Sequence, residues 1–138
     1  MILVDTSILV DYFRSSTSVA SDQFEAILKW KLPFGIDLYI YQELLQGSRS
    51  DKDFQTLKKY LDSQKFYGLL HGKESHAKAA RLYMKCRKNG ITVRGMVDMI
   101  IVQTAIENDL LLLHNDRDYT AIAQIETQLK IFDSKFMR

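Results

Sequence analysis

Residues 95–116 read GMVDMIIVQTAIENDLLLLHND and contain the most apolar segment of the chain. Apolar side chains cover almost every face of the predicted helix 95–108, which indicates a helix buried on all sides. The run 110–113 follows too closely to be more helix, and such a run is typical of a strand buried on both faces of a parallel sheet. This segment therefore predicts a sheet with helices packed on it.

Strands and helices alternate along the rest of the chain. Short apolar runs predict further strands at 2–4, 34–36, 66–70 and 129–132. Apolar residues at helical spacing predict helices at 7–14, 19–31, 38–46, 51–61, 74–88 and 118–124. This alternation indicates an α/β fold, with a central, mostly parallel β-sheet flanked by helices. No composition shift marks a boundary, so residues 1–138 are predicted to form a single domain.

The composition excludes several classes of protein. With 1 Pro and 6 Gly in 138 residues, the chain is not a linker, a collagen or a disordered segment. No apolar run exceeds four residues, so we expect no membrane-spanning helix. The first residues carry no basic region, and we expect no signal peptide. The single Cys86 excludes an internal disulfide and a cysteine-based zinc site, and we predict a cytoplasmic protein.

Four carboxylates lie where a purely structural argument would not put them. Asp5 directly follows the first predicted strand, and Asp116 follows the strand 110–113 by three residues. In a parallel α/β sheet both would lie beyond the carboxyl ends of strands, the edge at which such sheets bind ligands. Asp98 interrupts the most apolar helix, and Glu43 lies close to the apolar side of the helix 38–46.

Each acid also has a structural explanation. Asp5 could cap the following helix, and Asp116 could be a turn residue. Glu43 could be a solvated surface acid. Asp98 could pair with Arg94, one helical turn earlier. For any single acid the structural explanation is the simpler one. For all four acids together, these explanations require several unrelated coincidences.

A cluster of carboxylates would account for all four acids at once. Like charges at close range cannot all stay ionised without a compensating cation. Oxygen ligands without His or Cys favour a hard ion, Mg²⁺ or Mn²⁺. A magnesium ion held in this way is a common device for phosphate chemistry.

Four segments resemble the motifs of PIN-domain ribonucleases, and they match in order and spacing. They are VDTSILVD at 4–11, YQELLQG at 41–47, VDMIIVQTA at 97–105 and LLLHNDRDY at 111–119. Any one of these motifs is weak evidence for the family, but four motifs in the same order and spacing over essentially the whole chain are specific evidence. The nearest group is the VapC-type toxins of toxin–antitoxin pairs, and the fold implied is a PIN-like single domain.

The resemblance implies that four acids form a catalytic, metal-binding cluster. They are Asp5, Glu43, Asp98 and Asp116. Thr6 matches a hydroxyl residue that supports the site in the family. Asp118 could contact a metal-bound water, although we expect it to cap the helix 118–124. His114 stands where the family usually has Thr or Ser, and it could bind a phosphate or merely fill space. Asp37 is expected to cap the helix that carries Glu43.

The resemblance also implies an activity and partners. The expected reaction is cleavage of RNA by a Mg²⁺-dependent endoribonuclease through a metal-activated water, with Mn²⁺ able to substitute. The family's toxins pair with a cognate antitoxin and form a homodimer, and the antitoxin places a peptide in an apolar groove near the site. The apolar helix with Ile8, Leu9, Tyr12 and Phe13 could belong to that groove or to the core.

The charge balance is compatible with an RNA substrate. Without the four acids, 13 Asp and Glu remain against 19 Lys and Arg, so the rest of the chain carries about +6. Five basic residues lie near the motifs and are predicted phosphate contacts: Arg14, Arg49, Lys52, Arg94 and Arg117.

Two rival functions follow from the same residues. A phospho-accepting receiver domain also has a doubly wound sheet and an acidic metal site, but Asp5 lacks an acidic neighbour and Glu43 lies in a predicted helix. A PIN-like module without catalysis, which only binds RNA or protein, is disfavoured because all four acids are present.

Overall fold

The computed structural model describes residues 1–13 and 19–133. Its strands in this part are β1 (Ile2–Val4), β2 (Phe34–Ile36), β3 (Lys65–Phe66), β4 (Leu111–Leu113) and β5 (Lys130–Ile131). Its helices are α1 (Thr6–Phe13), α2 (Val19–Lys29), α3 (Leu38–Gln46), α4 (Asp51–Asp62), α5 (Lys73–Lys88), α6 (Met96–Glu107) and α7 (Arg117–Ile125).

The five strands of the described residues form one sheet in the order β3-β2-β1-β4-β5, and every neighbouring pair is parallel. This confirms the predicted α/β class with a parallel central sheet. Receiver domains have the flavodoxin-like order 2-1-3-4-5. The observed order is different, so the sheet argues against the receiver alternative.

The helices divide between the two faces of the sheet. The chain passes from β1 to β2 to β3 in one direction along the sheet, and from β3 to β4 to β5 in the other. Since such crossovers are right-handed in nearly all proteins, α1–α4 cover one face and α5–α7 cover the opposite face. Helix contacts agree, because α1 packs on α2 and α3, α3 packs on α4, and α5 packs on α6.

The core lies where the apolar segments predicted it. The strands β1 and β4 are almost fully buried, with Leu3, Val4 and Leu112 at 0% exposure. The helix α6 is buried continuously from Met99 to Ala105, as its all-round apolar pattern predicts. The buried hydroxyl of Thr104 in this helix has a hydrogen-bond partner, because it donates to the carbonyl of Ile100 at 2.7 Å.

The third predicted strand differs from the structure. The third strand is Lys65–Phe66 rather than 66–70. The chain leaves the sheet after Tyr67, and the N–H of Leu70 donates to the carboxylate of Glu107 at 2.8 Å instead of to a strand. The predicted end of the first helix at Arg14 and the predicted turn at 15–18 lie outside the described residues.

None of the helices in residues 1–13 and 19–133 is long and apolar enough to cross a membrane.

Gly35, in β2, is required by close packing. A Cβ atom at this position would lie 2.5 Å from Cε2 of Tyr67 and 2.6 Å from the backbone oxygen of Lys65. One of these neighbours is backbone of the adjacent strand, so it cannot move aside without disturbing the sheet.

We therefore expect Gly35→Ala to lower the free energy of unfolding by about 1–3 kcal/mol, the usual cost of overpacking. Urea unfolding followed by the fluorescence of Trp30 measures it. Gly68→Ala is the matched control, because a Cβ atom there meets nothing within 4 Å, and it should change stability by less than about 0.5 kcal/mol. Equal stability of the two variants would contradict this account of the packing.

Candidate active site

Asp5 and Asp116 lie at the carboxyl edge of the sheet, where they follow the central strand β1 and its neighbour β4. The strands β1 and β4 pair in register from Ile2 with Leu111 to Val4 with Leu113. The pairing continues one residue further, because the N–H of Asp5 donates to the carbonyl of Leu113 at 3.0 Å. The strand order reverses at this point, and open α/β sheets bind ligands at such a reversal.

Glu43 and Asp98 reach the same edge from opposite faces of the sheet. Glu43 lies on α3 and is exposed, while Asp98 lies in the first turn of α6 and is half-buried. The charges of both raise the pKa of Asp5, and the charge of Asp116 raises the pKa of Asp98. The four acids predicted from the motifs are thus electrostatically linked, Glu43 and Asp98 to Asp5, and Asp116 to Asp98.

Asp5 is the most buried of the four acids, with 8% exposure. Burial raises its pKa to about 6, although hydrogen bonds from the hydroxyl of Ser7 and the N–H of Thr6 oppose this rise. The Ser7 hydroxyl lies 3.0 Å from Oδ2 of Asp5. The hydroxyl of Thr6 is buried and has no hydrogen-bond partner among the described residues.

Asp98 is held by a tyrosine rather than by an arginine. The hydroxyl of Tyr119 donates to Oδ1 of Asp98 at 3.1 Å. Burial raises the pKa of Asp98, and the charge of Arg94 is the weakest influence on it. The alternative in which Asp98 forms an ion pair with Arg94 is therefore wrong for the described residues, and Arg94 is exposed in the loop before α6.

Asp116, not Asp118, caps α7. The N–H of Asp118 donates to Oδ1 of Asp116 at 2.9 Å, and the helix begins at Arg117. The predicted capping role of Asp118 is wrong because the helix starts one residue earlier than the sequence pattern indicated. The carboxylate of Asp118 instead adds to the negative charge that acts on Asp98.

His114 packs within the site. Its Nδ1 accepts a hydrogen bond from the N–H of Asp116 at 3.0 Å, and its ring meets the ring of Tyr119 edge-on at 5.2 Å. Burial lowers the pKa of the imidazole, so the ring is neutral at pH 7. With Nδ1 as the acceptor, the proton of the neutral ring lies on Nε2.

Asp37 caps the helix that carries Glu43, as predicted. Its Oδ1 accepts from the N–H of Ile40 at 2.7 Å, while its Oδ2 is buried without a partner in the described residues. Burial raises the pKa of Asp37 to about 6, and the charge of Glu43 adds to the rise.

Sequence reasoning missed two residues that bind the acids. One is Ser7, whose hydroxyl, two residues after a buried Asp, is close enough to donate to it. The other is Tyr119, and the only signal for it in the sequence is its place within the fourth motif.

The donor chemistry of the site fits a hard divalent cation. All four predicted ligands are carboxylates, and none of them forms an ion pair with Lys or Arg in the described part of the chain. Thr6, which follows Asp5 in the chain, has a buried hydroxyl without a hydrogen-bond partner among the described residues. Within residues 1–13 and 19–133, however, no three acidic, His or Cys side chains already stand close enough to hold a metal ion. The acids are coupled but are not drawn together into a finished ligand set.

An open groove of about 1050 Å³ lies between α1, α3 and α4, and Glu43 is one of the residues that line it. Phe13 and Tyr60 also line it and meet edge-on at 5.8 Å. Its charged lining residues are Arg49, Lys52, Glu43 and Asp53. Ile8 and Leu9, named above as candidates for a groove, are core residues with 0% and 1% exposure. Arg14, one of the predicted phosphate contacts, lies outside the described residues.

The model of the PIN domain family matches residues 2–125 of the chain. A VapC ribonuclease of Mycobacterium bovis is 31% identical over 126 residues, which cover 91% of this chain and 93% of that protein. The ribonuclease VapC11 of Mycobacterium tuberculosis matches with the same identity and coverage.

Solved structures share the fold. VapBC2 from Rickettsia felis, bound to a DNA fragment from its promoter, matches with a TM-score of 0.71 at 18% identity, covering 96% of this chain and 98% of that chain. A toxin–antitoxin complex from Klebsiella pneumoniae matches with a TM-score of 0.67 at 22% identity, covering 95% of this chain and 100% of that chain. At these identities the likeness concerns the fold alone.

The burial of Asp37 predicts a pH-dependent contribution to stability. Since its pKa in the folded state, about 6, lies above the ordinary 3.8, folding is favoured by its protonated form. This contribution is complete below about pH 3.8 and is lost as the pH rises through 6. Asp37→Asn keeps the capping oxygen and removes the titration. The stability of the variant relative to wild type should therefore rise by up to about 3 kcal/mol between pH 4 and pH 7.5.

Urea unfolding of both proteins across this pH range measures the difference. The contribution of Asp5, whose pKa is also about 6, is present in both proteins and cancels. A difference that does not change with pH would contradict the assignment.

Proposed function

The chain belongs to the PIN-domain family, and from this we propose that it is a Mg²⁺-dependent endoribonuclease that acts as the toxin of a type II toxin–antitoxin pair. Relatives named as VapC ribonucleases support the reaction class. Structural neighbours described as toxin–antitoxin complexes support the biological role. A cytoplasmic location, expected from the sequence, would give it access to RNA.

One observation carries the proposal. Four carboxylates, from two strand ends and two helices, lie toward one edge of the sheet and are linked by their charges, and the most buried of them, Asp5, has no cationic partner in the described residues. An arrangement of this kind destabilises the ionised protein unless a cation binds. A domain that only binds RNA or protein would not need it.

We assign the metal to Asp5, Glu43, Asp98 and Asp116, with Thr6 supporting the site from beside Asp5. When bound there, Mg²⁺ would supply Lewis-acid chemistry, polarising a phosphodiester and lowering the pKa of water. Ser7 fixes the orientation of Asp5 through its hydrogen bond. Cleavage would leave a 5′-phosphate and a 3′-hydroxyl.

Basic residues around the acids would hold the RNA backbone. Arg49 and Lys52 line the same groove as Glu43. Arg94, four residues before Asp98, and Arg117, directly after Asp116, are both exposed. Phosphate contacts of this kind bind RNA without regard to its sequence. They would offset the repulsion between a polyanion and an acidic site.

The partner we propose is a cognate antitoxin that binds in the same groove. Its apolar part, which includes Val10, Phe13 and Tyr60, would take apolar side chains of a peptide, and Glu43, which also lines the groove, would face a basic one. The homodimer that the family resemblance implies stays a prediction, and light scattering of the purified protein would measure it.

We expect the purified protein to cleave RNA with Mg²⁺ or Mn²⁺ and to lose this activity in EDTA. Asp5→Asn should reduce the rate about 100-fold or more, because the central ligand of the proposed site loses its charge. Gel analysis of total RNA, followed by sequencing of the cut ends, measures the activity.

Asp109→Asn is the matched control. It makes the same substitution at a residue that precedes β4, at the opposite edge of the sheet, and its carboxylate is 86% exposed. This variant should cleave like wild type. Cleavage that persists in EDTA or in Asp5→Asn, or no cleavage with either metal, would show that the proposed activity is wrong.

We also expect a charge in the groove to weaken the antitoxin complex. Phe13→Asp places a carboxylate beside Glu43 and Tyr60, and it should weaken binding about 10-fold or more through lost apolar contact. Coexpression with the product of an adjacent upstream reading frame, followed by calorimetry, provides the measurement. Leu70→Asp, at an exposed residue outside the groove, is the control. An equal effect of both substitutions would place the binding surface elsewhere.

A further inference from the structure

Tyr119 is a buried tyrosine whose hydroxyl touches one of the proposed metal ligands. The residue lies on α7 with 2% exposure. Its hydroxyl donates to Oδ1 of Asp98 at 3.1 Å, across 21 residues of sequence. It thereby joins the helix that follows Asp116 to the helix that carries Asp98.

The packing of Tyr119 depends on its aromatic ring and does not require its hydroxyl. The aromatic ring fills the space between α7 and His114, and a phenylalanine would fill it equally well. The hydroxyl adds a buried polar group, which costs about 1–3 kcal/mol if it finds no partner. In the described residues it finds its partner in a carboxylate of the acidic cluster.

The direction of this hydrogen bond is fixed by its surroundings. A carboxylate oxygen can only accept a hydrogen bond, and the buried phenol oxygen lies 3.1 Å from Oδ1 of Asp98. The hydroxyl of Tyr119 is therefore the donor.

The hydrogen bond restricts the orientation of the Asp98 carboxylate. It engages Oδ1 of Asp98, and this carboxylate makes no ion pair within the described residues, so Tyr119 determines its orientation. Within residues 1–13 and 19–133, no protein donor bonds to the other oxygen, Oδ2. Hydrogen bonds that orient a ligating carboxylate commonly raise metal affinity 10–100-fold.

We infer that Tyr119 is a positioning residue, which holds Asp98 through its hydroxyl so that the free carboxylate oxygen faces the divalent cation of the site. This inference rests on the proposed function. Tyr119 acts through Asp98 and does not touch the substrate.

The test is the affinity of the site for Mn²⁺, measured by electron paramagnetic resonance as the loss of the free Mn²⁺ signal. Tyr119→Phe removes only the hydroxyl and should weaken Mn²⁺ binding about 10–100-fold. Tyr67→Phe is the matched control. Its residue is also buried, at 8% exposure, but its hydroxyl lies 3.1 Å from Sδ of Met1, away from the acids, and Mn²⁺ affinity should not change.

A double-mutant cycle separates positioning from a general structural effect. If the hydroxyl acts through Asp98, then Tyr119→Phe should have no further effect on Mn²⁺ affinity in an Asp98→Asn background. Thermal unfolding without metal shows whether the fold is intact in each variant. An effect of equal size in both backgrounds would overturn the inference.

The outcomes also separate this inference from the proposed function. If wild type binds Mn²⁺ and Tyr119→Phe binds it equally well, or more tightly, the inference is wrong while the proposed function stands. If wild type binds no Mn²⁺, both are wrong. Both the inference and the proposed function are supported if Tyr119→Phe weakens Mn²⁺ binding in the wild-type background and has no effect on it in the Asp98→Asn background.

Discussion

The parallel pairing of β1 with β4 is the constraint on which the rest of the structure depends. The strand β1 bonds to β2 on one side and to β4 on the other, so the chain leaves the centre of the sheet in opposite directions. The crossovers then fall on opposite faces, and a crevice opens at the carboxyl ends. Asp5 and Asp116 lie at this edge because they follow these strands, and Glu43 and Asp98 come from helices on the two faces.

The same arrangement makes the acidic cluster costly for a protein without a cation. Asp5 is buried, its pKa is raised to about 6, and the neighbouring acids repel its charge. Asp37, which caps the neighbouring helix, carries a second buried carboxyl with a raised pKa. The apolar core around β1, β4 and α6 offsets these costs. Local destabilisation of this kind is typical of functional sites, where a charge is kept for its chemistry rather than for stability.

The wrong prediction of a helix cap at Asp118 and the two alternatives that the sequence left open have one physical origin. Local spacing allowed Asp98 to pair with Arg94, and it allowed Ile8 and Leu9 to belong either to a groove or to the core. In the structure Asp98 bonds to Tyr119, Asp116 provides the cap, and Ile8 and Leu9 face the core. Spacing tells which residues share a face of a helix, but not which distant element covers that face.

By itself the sequence determined the class of fold, the burial of the helix α6 and of the strand β4, and the place of Asp5 and Asp116 after two strands of the sheet; the grouping of Glu43 and Asp98 with them rested on the family resemblance. Apolar periodicity and the order of strands and helices are local properties, and they suffice for these conclusions. Only the tertiary structure decided that Gly35 lies against Tyr67, that Ser7 and Tyr119 donate to the acids, and that Asp5 is the most buried of the four. Close packing, hydrogen-bond partners and desolvation depend on atoms that folding brings together from distant parts of the chain, and no local pattern encodes them.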